Sequence, residues 1–144
     1  MPIAQKRAWA MMIASALAYV VYVVLVVTRL QDPVADTPYI AAMLWTIGGS
    51  VLATVLAEVG FAISTRREGR AALRTDERDR EIDRFGDHVG QAFVVIGAIA
   101  ALIMAMLQWP YFWIANAVYL AFVLSAVLGS AARLAAYRES FQPW

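Results

Sequence analysis

Four long apolar stretches, Ala8 to Thr28, Tyr39 to Ser64, Val89 to Gln108 and Tyr111 to Ala132, constrain this chain more than any other feature. A helix needs about 20 mostly apolar residues to cross roughly 30 Å of hydrocarbon, and each stretch has that length. What lies between and beyond them is too short for a second domain. The chain therefore reads as an all-α, polytopic membrane four-helix bundle of two hairpins, residues 1–144 forming one integral membrane unit. Strands are not expected, because the runs do not alternate in polarity and a barrel needs more segments than this length supplies. The bulk composition demands lipid as solvent. Hydrophobic residues make up 62% and charged residues 16%, against about 45–50% and about 25% in soluble domains. A soluble enzyme, a disordered chain and a secreted disulfide scaffold are excluded. With no Cys and a single His, thiolate zinc sites, cysteine nucleophiles and multi-histidine metal sites are excluded too. The expectation is a protein that is not an enzyme and holds no metal or cofactor.

The connections differ in length and charge. Arg29 to Pro38 is a short loop with Pro33 and Pro38, and Trp109 with Pro110 makes a tight turn. Thr65 to His88, by contrast, holds seven Arg and seven Asp or Glu. Lys6 and Arg7 precede the first run as in a secretory leader, but the run is too long and lacks a small-residue cleavage pattern, so it reads as a retained helix. Basic residues near span ends set orientation. Lys6, Arg7, Arg133, Arg138 and the seven central Arg oppose Arg29 alone, which predicts cytoplasmic termini and a cytoplasmic 65–88 segment. Trp109, Tyr111 and Trp113 then mark the outer boundary, and Trp9, Tyr137 and Trp144 the inner one.

Helices in lipid associate through close backbone approach and interhelical hydrogen bonds. Small residues recur at four-residue spacing as Gly49, Ala53 and Ala57, as Gly97, Ala101 and Ala105, and as Ala121, Ser125 and Gly129. These predict packing faces on spans two, three and four, with a homodimer through one of them as an extension. No internal repeat is visible beyond general hydropathy. Thr46, Ser50, Thr54 and Glu58 form a polar row in span two, and an acid inside a span is a functional candidate. One reading makes the row a track for a proton, cation or polar ligand. The other ties the hydroxyls to packing and Glu58 to a hydroxyl or to Arg133.

Thr75 is a good N-cap followed by acids, so a helix is expected to begin there and run on into span three. Asp76, Asp79, Asp83 and Asp87 fall within an arc of about 80° at 100° per residue, with Ile82, Phe85 and Val89 on the far side. Asp76 pairs favourably with Arg80, whereas Asp79 with Asp83 and Asp83 with Asp87 are like-charge neighbours. That stripe is a solvated face, a protein-contact surface including Glu77, or a metal site of Asp83, Asp87 and His88. His88 alone at a boundary is an interfacial polar residue or a pH-sensitive one. Arg66, Arg67, Arg70 and Arg74 suit anionic lipid headgroups, which accounts for them without nucleic acid. No phosphate loop, zinc-protease motif or nucleophile elbow occurs.

The run Asp76-Glu77-Arg78-Asp79-Arg80-Glu81-Ile82, between the second and third of four spans, resembles the DERDxxI signature of a family of small prokaryotic membrane proteins of unknown function. Tyr137-Arg138 is similar to that family's short basic ending, with Glu139 where a further basic residue is usual. The resemblance implies a prokaryotic cytoplasmic membrane and, because members are often encoded beside them, a helix-turn-helix regulator as partner. It assigns no catalytic residue. Two functions follow as expectations: a non-enzymatic regulator whose cytoplasmic helix contacts a soluble partner, or a small transporter or channel subunit using Glu58 and the hydroxyl row.

Overall fold

The computed structural model of the protein describes residues 3–68 and 77–138, with the backbone alone at Ile3, Thr65, Arg67 and Glu68. Its helices are α1 (Ile3–Val27), α2 (Ile40–Glu68), α3 (Glu77–Met106) and α4 (Tyr111–Arg138). All four are long and apolar enough to cross a membrane. The protein is thus an all-α, four-helix membrane protein built as two hairpins, α1 with α2 and α3 with α4. Thr75 and Asp76, the expected helix start, lie outside the described residues. From Glu77 onward the charged segment and the third span are one unbroken helix. Thirty residues at about 1.5 Å each give about 45 Å, so α3 outreaches a hydrocarbon layer of roughly 30 Å.

The helices stand in the order α2, α1, α4, α3, with α4 packed against both α3 and α1 and with α2 packed on α1. The α3–α4 contact is the most extensive, and small residues make it possible. A Cβ at Gly90 would lie 2.9 Å from Ser125 Oγ and 3.1 Å from the Ser125 carbonyl oxygen, and one at Gly129 would lie 2.9 Å from the Gly86 carbonyl oxygen. Gly97 abuts Ala121 still more closely, and Ala101 and Ala121 are buried. Span four therefore uses the small-residue face read in its sequence, and span three uses Gly97 and Ala101 of its stripe together with Gly86 and Gly90, while Ala105 is exposed.

Span two does not. Nothing lies within 4 Å of a Cβ placed at Gly48, Gly49 or Gly60, and Ala53 is exposed. The Gly49, Ala53 and Ala57 stripe sits beside the face that α2 presents to its neighbours, where Ala42 and Thr46 are buried instead. Large apolar side chains cover the remaining surface, among them Ile96, Ile99 and Leu102 of α3 and Leu44, Leu52 and Leu56 of α2. Such contiguous exposure is a liability in water and the ordinary condition of a helix in lipid.

The α3–α4 turn is closed by the backbone. Gln108 N–H donates to the Ala105 carbonyl and Trp109 N–H to the Met104 carbonyl, both at 3.0 Å, with Gln108 at φ 56°. This is a Schellman closure with Gln in the left-handed position that glycine usually fills. In the other loop a 3-10 turn, Val34–Asp36, follows the cis Asp32–Pro33 bond. Thr37, buried, accepts a hydrogen bond from Gln31 N–H at 3.1 Å. Tyr22, Val26, Ala42, Phe112 and Tyr119 form a core at this loop end of the bundle.

Candidate functional site

At the opposite end, where α1 and α3 begin and α2 and α4 finish, the charged side chains gather. Asp87 lies 19 residues before Met106, about 28 Å by helical rise, so the charges begin where the apolar length of α3 runs out. Arg133 of α4 sits between the acids of α3. Its Nη2 donates to Asp87 Oδ1 and its Nε is 3.6 Å from Asp83 Oδ1. One turn further on, Tyr137 donates its hydroxyl proton to Asp79 Oδ1 at 2.9 Å. Three of the four stripe aspartates thus meet a basic or hydroxyl partner within the chain, and the fourth, Asp76, lies outside the described residues.

Glycine makes this clamp possible. Gly86 lies under the Arg133 side chain, so that a Cβ there would collide with its Cγ and Nε. Ile82 and Ser130 beside it are fully buried, and Arg133 is only 17% exposed. Ser130 Oγ and Arg133 Nε have no hydrogen-bond partner, so the ionic attraction to Asp83 and Asp87 carries the compensation for burying this cation. Partial burial raises the Asp83 carboxyl above its ordinary value, Arg133 opposes that rise, and Asp87 and Asp79 add to it. Burial and the bond to Asp79 likewise raise the Tyr137 phenol, keeping it a proton donor.

The other charged candidates fall as follows. Glu77, Arg80, Arg84 and His88 are exposed, and Glu81 is half-buried; at helical spacing they lie away from the buried side carrying Ile82, Gly86 and Gly90. His88 Nδ1 is 3.0 Å from the Arg84 carbonyl oxygen, while Asp83 and Asp87 turn to Arg133. Among the described residues no three His, Asp or Glu converge as a metal group. Arg66 is exposed at the end of α2; the Arg67 side chain, Arg70 and Arg74 lie outside the described residues.

Glu58 pairs with Arg7 of α1, at 3.2 Å, and both side chains are about half exposed. The expected partner, Arg133, is instead taken up by α3. Because Glu58 is 18 residues beyond Ile40, about 27 Å by helical rise, and level with Arg7, the pair sits at the margin of the apolar layer rather than deep within it. The hydroxyl row is not a continuous track. Thr46 Oγ1 donates to the Ala42 carbonyl, Ser50 Oγ to the Ile47 carbonyl and Thr54 Oγ1 to the Ser50 carbonyl, each at 2.9 Å.

One polar group in the bundle joins Thr46 of the row to Tyr119, and beside it Tyr22 to Asn116; Tyr119, Tyr22 and Asn116 are not among the sequence candidates. Tyr119 donates to Thr46 Oγ1 at 3.0 Å, and Tyr22 donates to Asn116 Oδ1 at 2.5 Å. Asn116 Nδ2 in turn donates to the Phe112 carbonyl at 2.7 Å. The Tyr22 and Tyr119 rings meet edge to face at 4.8 Å, an arrangement the ring quadrupole favours. Both chains end on backbone carbonyls, which makes them joints between α1, α2 and α4. A sole Asn in an apolar run, four residues after Phe112 and three before Tyr119, was the available signal.

No family model matches the chain, and neither the curated proteins nor the solved structures compared with it contain a significant match.

Proposed function

We propose that the chain is a non-enzymatic regulator in a prokaryotic cytoplasmic membrane, with the charged end of the bundle facing the cytoplasm and the first part of α3 contacting a soluble protein. The observation that carries the reading is the clamp. Arg133 and Tyr137 hold α3 against α4 beyond the apolar layer, so a charged helical face is displayed on a fixed support. Lys6, Arg7, Arg66, Arg78, Arg80, Arg84, Arg133 and Arg138 at that end against Arg29 at the other favour its cytoplasmic placement. The likeness of Asp76 to Ile82 to the DERDxxI signature supports a small DNA-binding regulator as the partner. A contact on this helix that overlapped the partner's DNA-binding surface would link capture to operator release.

The clamp alters which residues should make the contact. Asp79, Asp83 and Asp87 are engaged with α4, leaving Glu77, Arg80, Glu81 and Arg84 as the face that a partner meets without breaking the bundle. Affinity capture of the solubilised protein, followed by mass spectrometry, tests this. Replacing Glu77 and Glu81 with Lys is expected to lose a DNA-binding protein that wild type retains, with the thermal midpoint unchanged. Retention of the same proteins by both forms would refute the reading. The transporter alternative gains no comparable support, since every hydroxyl of the row donates its proton to a carbonyl of α2 and Glu58 is paired with Arg7.

A further inference from the structure

A groove of about 390 Å³ runs between α1 and α4 at the charged end, lined by Trp9, Met12, Ala131, Leu134, Ala135 and Arg138. The volume is within the range of small-ligand sites, about 300–1,000 Å³. Its composition is what decides the ligand. Five lining residues are apolar or aromatic, and the sixth is a cation at one end. Residues at positions 131, 134, 135 and 138 share one face of α4 by their 3, 4 and 7 spacing, whereas Ser130, Arg133 and Tyr137 share the face turned to α3. Arg138 therefore points away from the aspartates, and it carries no ion pair among the described residues.

Position along the membrane normal narrows the ligand further. Taking Tyr111 as the opposite boundary, Ala131 is about 30 Å along α4 and Arg138 about 40 Å by helical rise. The first distance is the edge of the hydrocarbon; the headgroup layer on this side adds about 5–7 Å, and the Arg138 side chain, leaning back toward the helix N-terminus, reaches into that layer from just beyond it. The groove floor is thus at the depth of upper acyl carbons and the guanidinium at the depth of phosphates. Trp9, half-buried at the groove wall, is the residue type that favours this interface.

We propose that this groove seats an anionic phospholipid, with acyl carbons against Met12, Ala131 and Leu134 and the phosphate on Arg138. Charge complementarity and depth select that occupant. A water-soluble anion has no use for the apolar floor, and a helix of a second copy has none for a cation that no described residue pairs at the headgroup level. The site lies on the far side of α4 from the proposed partner face and stands independently of that reading.

Brominated-lipid quenching tests the assignment directly. The chain has five Trp; replacing Trp45, Trp109, Trp113 and Trp144 with Phe leaves Trp9 as reporter in phosphatidylcholine vesicles. Brominated phosphatidylglycerol is expected to quench Trp9 with an apparent affinity about fivefold higher than brominated phosphatidylcholine, the ratio one basic residue near the surface supplies. Arg138→Gln should bring the ratio to about one, and a variant keeping only Trp113 should show no preference. Native mass spectrometry of the chain with all its Trp gives a second readout: bound phosphatidylglycerol should be lost in Arg138→Gln and kept in Arg66→Gln. Equal quenching by the two lipids, or a preference that survives Arg138→Gln, overturns the proposal, as does loss of bound lipid in Arg66→Gln alone.

Discussion

Alanine substitution of the glycines should have opposite signs on the two sides of this molecule. On α2, a Cβ at Gly48, Gly49 or Gly60 meets nothing within 4 Å. There the substitution restricts the unfolded backbone and favours helix, a gain of about 0.5–1 kcal/mol. On α3 the same gain is offset by a clash. The Gly90 methyl would sit 2.9 Å from Ser125 Oγ, and ordinary carbon contact begins near 3.5 Å, so the helices must part by roughly half an ångström. At Gly97 the obstacle is the Ala121 methyl, which has no rotamer to move to. Half an ångström already forfeits a quarter to a half of each nearby dispersion contact, Gly97 needs a larger separation because its methyl would overlap that of Ala121, and overpacking costs about 1–3 kcal/mol. In lipid no hydrophobic burial makes up the loss, because packing is itself the main attraction. Gly97→Ala and Gly90→Ala should thus fall about 1–3 kcal/mol below Gly48→Ala in stability, read by unfolding of the purified protein in mixed micelles under increasing SDS. A Gly97→Ala variant as stable as Gly48→Ala would refute the claim that α3 and α4 meet through their small residues.

Three further outcomes follow from the geometry. Gln108→Gly should stabilise the α3–α4 hairpin by about 0.5–1 kcal/mol, because glycine takes φ 56° without a Cβ penalty; an unchanged SDS midpoint would count against the left-handed turn. Tyr119→Phe should cost about 0.6–1.7 kcal/mol by deleting the bond to Thr46, and Thr46→Val should not add to it in a double-mutant cycle. Asp83, with its folded pKa raised, binds its proton more tightly folded than unfolded. Its contribution therefore favours the fold at acid pH and is lost as the pH rises from the ordinary value of 3.8 through the raised one; Asp83→Asn should flatten that part of a stability–pH profile.

Span number and the hairpin pairing were legible because hydropathy over about 20 residues is a local property. The small-residue face of span four, and Gly97 and Ala101 of span three, were legible for the same reason, as a spacing within one helix. Which faces meet is not local. The stripe on span two has the same spacing, yet Gly49 meets no neighbour and Ala53 is exposed, since helix order and rotation decide which side looks inward. The acidic stripe posed a physical question, what relieves the repulsion among Asp79, Asp83 and Asp87, and its answer lay 46 residues from Asp87, in Arg133. Gly86 could not be read as the seat of that arginine without knowing that α4 crosses there. Glu58 drew notice as an acid in an apolar run; its pairing with Arg7 depends on the level at which two antiparallel helices align.

The central claim is that the outward face of α3 meets a cytoplasmic protein, and site-specific photocrosslinking in intact cells tests it most directly. A photoreactive phenylalanine analogue replacing Arg84 or Glu77 is expected to join the chain to one discrete DNA-binding protein. The same analogue replacing Ile99, exposed on the apolar part of α3, should yield no such adduct. Absence of adducts at Arg84 and Glu77, or labelling of an Arg84→Cys variant by an impermeant thiol reagent added outside the cell, would contradict the account.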